Sequence, residues 1–175
     1  MKGMGMRKLC LLMALGAAVS LLAAAEKPDL SGTWKLNLTK SFLAGDHPAS
    51  NYEFTKIIEQ RGDHILQTDI VAHAAIMNMP LPDSRTTIQL VCDGQEHDAT
   101  GPNRFPGMPP VQMKVSAMWQ GGTLVVIEKA REFGGASTTH RRYFLSDDGS
   151  ELIELVEGHN GLQDIEQRLI FEKLP

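Results

Sequence analysis

The sequence predicts an all-β chain closed into an antiparallel up-and-down barrel of about 8–10 strands. Three features carry that expectation. Apolar and polar residues alternate with period two in one segment after another. Turn-forming pairs and quartets separate those segments at short intervals. No segment after residue 26 has a long helical period. A meander of strands joined by tight turns leaves two bare edges, and closing the sheet on itself hides them.

The elements follow in chain order. Nine strands are expected, at 32–38, 52–60, 64–73, 84–92, 111–119, 123–131, 137–146, 151–157 and 164–173. The cleanest is 111–119, where Val111, Met113, Val115, Ala117 and Trp119 alternate with Gln112, Lys114 and Ser116. Thr86, Ile88, Leu90 and Cys92 alternate with Arg85, Thr87 and Gln89. In 64–73 the row Leu66, Thr68, Ile70, Ala72 alternates with Gln67 and Asp69. Ile165, Leu169 and Phe171 form the apolar row of the last strand, with Gln167 among them. Turns are marked by Arg61-Gly62-Asp63, Gly121-Gly122, Gly134-Gly135, Asp147-Asp148-Gly149-Ser150 and Gly158-His159-Asn160-Gly161. Strands 123–131 and 151–157 carry apolar residues on both faces, so alternation leaves their inward register open. Residues 39–50, 74–83 and 93–110 break the rhythm, and the last two read as loops over the barrel mouth.

Residues 1–25 are set apart as a signal peptide. Lys2, Arg7 and Lys8 precede the apolar run Leu9–Leu22, and Ala23-Ala24-Ala25 forms a small-residue cleavage site. The run is short for a membrane span, so 26–175 is expected to be one exported barrel domain, secreted or periplasmic, with no transmembrane segment. Three of the 17 basic residues and none of the 21 acidic ones fall within 1–25, which leaves residues 26–175 at a formal net charge of −7. That balance argues against a nucleic-acid partner and against a basic lipid-binding patch. Cys92 is the one cysteine after residue 25, so an intramolecular disulfide is excluded there, and the thiol reads as a small buried apolar group.

In Leu30–Ser41, LSGTWKLNLTKS, the residues Trp34, Leu36 and Leu38 share a face opposite Lys35 and Asn37. Gly32 permits a tight entry, and Trp34 would plug one end of the barrel beneath a stacked cation. On these residues the chain resembles the lipocalin-like barrels, whose first strand carries a Gly-x-Trp matched by Gly32-Thr33-Trp34. It is also similar to a group of small exported bacterial β-barrel proteins, mostly of unknown function. Their mature chains begin much like DLSGTWKLNLTKS, carry an Asp-Gly-x-Glu like Asp93-Gly94-Gln95-Glu96, and end much like YFLSDDGSELIE and RLIFEK. The resemblance implies that an arginine of the last strands packs over Trp34, with Arg168 the best positional match and Arg141 or Arg142 the alternatives. It also implies binding of a small, mainly hydrophobic molecule.

The candidate ligand-binding residues are Phe54, Lys56, Leu66, Val115, Trp119 and Arg142. The row Tyr52, Phe54, Lys56, Ile58 sets a lysine among apolar residues. There it either meets an anionic head group or snorkels to the rim. Arg142, in the mixed row Thr138, His140, Arg142, Phe144, has the same two readings. The six histidines lack metal-ligand spacing, no calcium or phosphate loop is present, and neither metal nor cofactor is expected. Met77, Met79 and Met108 fit adaptable apolar packing better than a copper site. No serine or cysteine sits in a nucleophile elbow. The sequence therefore reads as a binding protein. Two other readings stay open: a filled barrel acting through its surface as an envelope interaction or inhibitor protein, and an isomerase or hydrolase using His140 or Glu128 as base. Oligomeric state is not legible.

Overall fold

A computed structural model describes residues 27–43, 52–73, 75–76, 79–80, 82–101, 110–132, 135–159 and 164–175. The expected signal segment 1–25, Met77, Met108 and parts of the three irregular stretches lie outside the described residues. Among the described residues there is no helix, and so none long and apolar enough to cross a membrane.

The strands are β1 (Gly32–Leu36), β2 (Phe42–Leu43), β3 (Glu53–Arg61), β4 (His64–Ala72), β5 (Ala75–Ile76), β6 (Met79–Pro80) and β7 (Ser84–Val91). They continue with β8 (Glu96–Gly101), β9 (Val111–Gln120), β10 (Thr123–Glu132), β11 (Gly135–Leu145), β12 (Glu151–His159) and β13 (Asp164–Lys173). All nine expected strands are present. The main sheet is eleven-stranded and antiparallel, in the order β7-β4-β3-β1-β13-β12-β11-β10-β9-β8, with β2 added on β13. The first and last strands in this order, β7 and β8, touch without a hydrogen-bonded ladder, so the barrel is nearly closed. β5 and β6 pair apart from it.

One end of the barrel holds the tight connections. Arg61 pairs with His64 and Gln120 with Thr123, so two residues suffice for each hairpin, and Gly62 and Gly121 supply the positive φ that such turns require. The connections at the other end include 37–52, 73–83 and 102–110, which makes that end the mouth. The mouth loop expected at 93–110 is shorter than that: Glu96–Gly101 is a strand paired with β9. Its residues are mostly polar and give no apolar alternation. Pairing with an exposed edge of β9, rather than burial, makes it a strand.

The inner faces of the strands build the core. Trp34 and Leu36 of β1, Ile58 of β3, Ile65 of β4, Leu90 of β7, Val115 and Ala117 of β9, Leu124 and Val126 of β10 are buried there. Tyr143 of β11, Leu152 and Val156 of β12, and Leu169 and Phe171 of β13 complete it. This settles the two registers that alternation left open: Leu124, Val126 and Glu128 point in on β10, and Leu152, Glu154 and Val156 on β12. Two expected rows are reversed. On β4 the inner row is Ile65, Gln67, Asp69 and Val71, and Leu66 lies outside, 39% exposed. On β11 the inner row is Thr139, Arg141, Tyr143 and Leu145, opposite the inner residues of β10 and β12.

Trp34 closes the end with the tight turns. The indole is fully buried and its Nε1 donates to the Leu30 carbonyl at 2.9 Å. The cation over it is Lys173, with Nζ 5.1 Å from the ring, and not an arginine. Arg168 is exposed on the outer face, opposite Leu155 and Phe42, whereas Lys173 is the β13 residue in register with Trp34. Gly32 makes this stacking feasible. It has φ 149°, and a Cβ there would lie 2.8 Å from the Lys173 Cε.

Cys92 is half-buried beside this end, and burial and the Asp63 carboxylate push its thiol up to about 11. Such a thiol is almost wholly protonated at neutral pH. Iodoacetamide at pH 7.5 should therefore modify Cys92 at least about tenfold more slowly than free cysteine, followed by mass analysis of the Cys92 peptide.

Candidate ligand site inside the barrel

Halfway up the barrel the inner wall changes from apolar to charged. Lys56 of β3 is 0% exposed, and its Nζ lies 2.9 Å from Asp69 Oδ1 on β4 and 3.4 Å from Glu154 Oε2 on β12. Arg141 of β11 donates from Nη1 to Glu154 Oε1 at 2.6 Å and from Nε to Glu128 Oε2 of β10 at 3.0 Å. Tyr143 Oη donates to Glu154 Oε1 at 3.1 Å, and Gln67 Nε2 donates to Asp69 at 3.1 Å. Five ionised side chains from five strands, two cations and three anions, thus form one connected layer across the interior. Register brings them together: Lys56 faces Asp69, and Tyr143 faces Glu154, directly across neighbouring strands.

The Lys56 ammonium is also boxed by rings. It lies 5.1 Å from the Phe54 centroid, 5.4 Å from that of Tyr143 and 5.6 Å from that of Phe171. Phe54 and Phe171 meet edge to face at 5.2 Å. A buried ammonium needs such compensation, because leaving water without partners is prohibitive.

The titration behaviour follows from this geometry. Burial opposes charge on Glu154, but Lys56 and Arg141 outweigh it and hold the carboxyl below its ordinary value of 4.5. Burial likewise opposes the Arg141 charge, and Glu128 and Glu154 more than offset it, raising its pKa further. Burial and the Glu154 charge raise the Tyr143 phenol. Tyr52, toward the mouth, is pushed up to about 12 by burial and by Asp69 and Glu154. Each shift locks its group in the charge state it already has at neutral pH. A proton-transfer catalyst needs the opposite, a value poised near neutrality.

Exposure separates two halves. Toward the Trp34 end Ile65, Leu124, Leu152 and Phe171 are buried and Ile88, Trp119 and Leu145 partly so, whereas Asp69 and Arg141 each keep 28% exposure and Glu128 keeps 19% although they point inward. Thr139, Met113, Gln167 and Ile165, nearer the mouth, are also only partly buried. Solvent therefore reaches Asp69, Arg141 and Glu128 although they point into the barrel.

The expected site residues divide accordingly. Phe54, Lys56 and Val115 lie on the inner wall, with Lys56 and Phe54 in contact. Lys56 neither snorkels nor waits unpaired for an anion. Trp119 also points inward but lies next to the Gln120–Thr123 turn, at the closed end, with its buried Nε1 lacking a hydrogen bond among the described residues. Leu66 and Arg142 are outside the barrel, and Arg142 pairs with Glu157 on the outer surface. His140 is exposed on the same outer face. Sequence reasoning missed Asp69, Arg141 and Glu154 as inner residues. The available signal was the matched spacing of opposite charges on strands joined by hairpins. An outward-facing groove of about 270 Å³ runs beside Glu59, Arg61, His64, Leu66 and Gln89, away from the charged layer.

No family profile matches the chain, and no curated protein matches it in sequence. Solved structures do. Human cRBP IV, a cellular retinol-binding protein, superposes with TM-score 0.57 at 19% identity, over 84% of this chain and 99% of its own. Apo lipid binding protein 8 of Caenorhabditis elegans superposes with TM-score 0.51 at 12% identity, over 82% of this chain and 94% of its own. At these identities the likeness shows the fold: an all-β, nearly closed antiparallel barrel of the lipocalin-like, calycin type.

Proposed function

We propose that this protein binds a small, mainly hydrophobic molecule in the mouth half of its barrel, with the charged layer as the floor. One observation carries the reading: Asp69, Arg141 and Glu128 point inward yet stay partly exposed, and Met113, Thr139, Ile165 and Gln167 between them and the mouth are only partly buried. Structures of the same fold, named as retinol- and lipid-binding proteins, support it. Apolar surface leaving water would supply the driving force, and the few polar groups of the floor would orient the cargo. The apolar leader-like segment 1–25 supports an exported protein, secreted or periplasmic, as the setting.

Titration of the purified protein with a neutral solvatochromic dye, N-phenyl-1-naphthylamine, tests this. A saturable blue shift at one dye per chain is expected. In Thr139→Trp, which fills the mouth half from the inner row of β11, the shift should fall at least about tenfold while the circular dichroism is kept. A dye signal unchanged by Thr139→Trp would place binding elsewhere, and the outer groove beside Leu66 would then be the site to mutate.

A further inference from the structure

The floor of the barrel has a sign. It holds the cations Lys56 and Arg141 and the anions Asp69, Glu128 and Glu154, an excess of one negative charge. Lys56 is not available to an incoming anion, and Arg141 keeps only its Nη2 uncommitted among the described residues. Lys56 is 0% exposed and held between Asp69 and Glu154. Arg141 already directs Nε and Nη1 at carboxylates. The side chains that solvent reaches on this floor include two carboxylates, Asp69 and Glu128, and the one guanidinium between Glu128 and Glu154. A second, independent feature points the same way. Glu154 Oε2, on the inner wall and fully buried, has no hydrogen bond among the described residues, and Lys56 meets it only at 3.4 Å. The layer therefore carries an unsatisfied carboxylate oxygen, and the charged groups that solvent reaches on it are two carboxylates and one guanidinium that is already paired with carboxylates.

We infer that the barrel selects cargo whose polar head carries no negative charge and donates a hydrogen bond, an alcohol or an amine on an apolar chain, and discriminates against carboxylates. This rests on the cargo-binding reading above. A carboxylate head descending the barrel would meet Asp69 and Glu128 at close quarters in a medium that screens poorly, with both neighbouring cations already paired. A hydroxyl or ammonium head would find carboxylate oxygens as acceptors. Among the described residues, Tyr52, Phe54, Met113, Thr139 and Gln167 line the mouth side of the floor without adding charge.

The test is displacement of bound N-phenyl-1-naphthylamine at pH 7.4 by dodecanol, dodecylamine and dodecanoate, which share one chain length. The readout is the ratio of dodecanoate to dodecanol concentrations at half displacement, in the natural protein and in Asp69→Asn/Glu128→Gln. Comparing ratios cancels the difference in solubility between the two compounds. The ratio is expected to fall at least tenfold in the double variant, and dodecylamine is expected to displace the dye from the natural protein at lower concentration than dodecanoate. Should the double variant fail to fold, Glu128→Gln alone, which keeps an acceptor for Arg141 Nε, is expected to lower the ratio at least threefold. A ratio unchanged in the variant, or dodecanoate displacing better than dodecylamine, overturns the inference while leaving the barrel a hydrophobic binder. No dye binding at all overturns the cargo reading and this inference with it.

Discussion

Lys56→Met is expected to destabilise the protein by about 3–5 kcal/mol, the usual loss when one member of a buried ion pair is removed. For a domain of this size that is a fall in melting temperature of roughly 6–20 °C. The substitution keeps an unbranched side chain one atom shorter and deletes the ammonium that Asp69, Glu154 and three aromatic rings enclose. Glu154 is then left buried with Arg141 and Tyr143 as its remaining partners. Lys56→Met/Glu154→Leu removes both members, leaves Asp69 with Gln67 and Arg141 with Glu128, and should recover part of the loss, because an apolar pair replaces a buried ion pair at little net cost. Strict additivity in thermal melts of the two single variants and the double would show that the pair is not coupled. The same layer sets the acid limit. Glu154 has its folded-state pKa lowered, so its contribution is present above 4.5 and is lost as pH falls below 4.5 through the folded value.

Trp34→Ala should cost about 3–5 kcal/mol, as expected for emptying the space of a fully buried aromatic residue. The loss has three physical sources. The indole packs in the core with Leu30, its N–H leaves the Leu30 carbonyl without a donor, and Lys173 loses the ring beneath it. Trp34→Phe keeps most of the packing and forfeits the hydrogen bond, so a loss of about 1–3 kcal/mol is expected there. Urea denaturation followed by circular dichroism measures both. A loss below 1 kcal/mol in Trp34→Ala would contradict the plug.

The strands and turns were legible because their signals are local. Val111 to Trp119 alternates cleanly, and Gly62 and Gly121 stand where two-residue hairpins need positive φ. The inner register was legible only where one face is apolar throughout. On β4 the apolar residues Ile65 and Leu66, and again Ile70 and Val71, occupy both faces. The choice between those faces falls to Gln67 and Asp69, two polar residues that a rule of apolar interiors sends outward. They point inward because Lys56 and a mutual hydrogen bond satisfy them. The same logic turned β11 over, putting Arg141 in contact with Glu128 and Glu154 and leaving Arg142 to the surface. β8 went unseen because pairing with β9, not its own composition, makes it a strand. Lys173 replaced the expected arginine over Trp34 because register, which follows from pairing across the whole sheet, selects the residue opposite.

Native mass spectrometry of the protein purified from its own host, followed by solvent extraction of whatever is bound, tests the central claim most directly. The account predicts a stoichiometric adduct of small mass that extracts into organic solvent, that is lost in Thr139→Trp, and that carries no carboxylate. An adduct unaffected by Thr139→Trp, or a host-purified protein of bare polypeptide mass that also fails to take up the neutral dye, would contradict it and leave the outer surface as the working face.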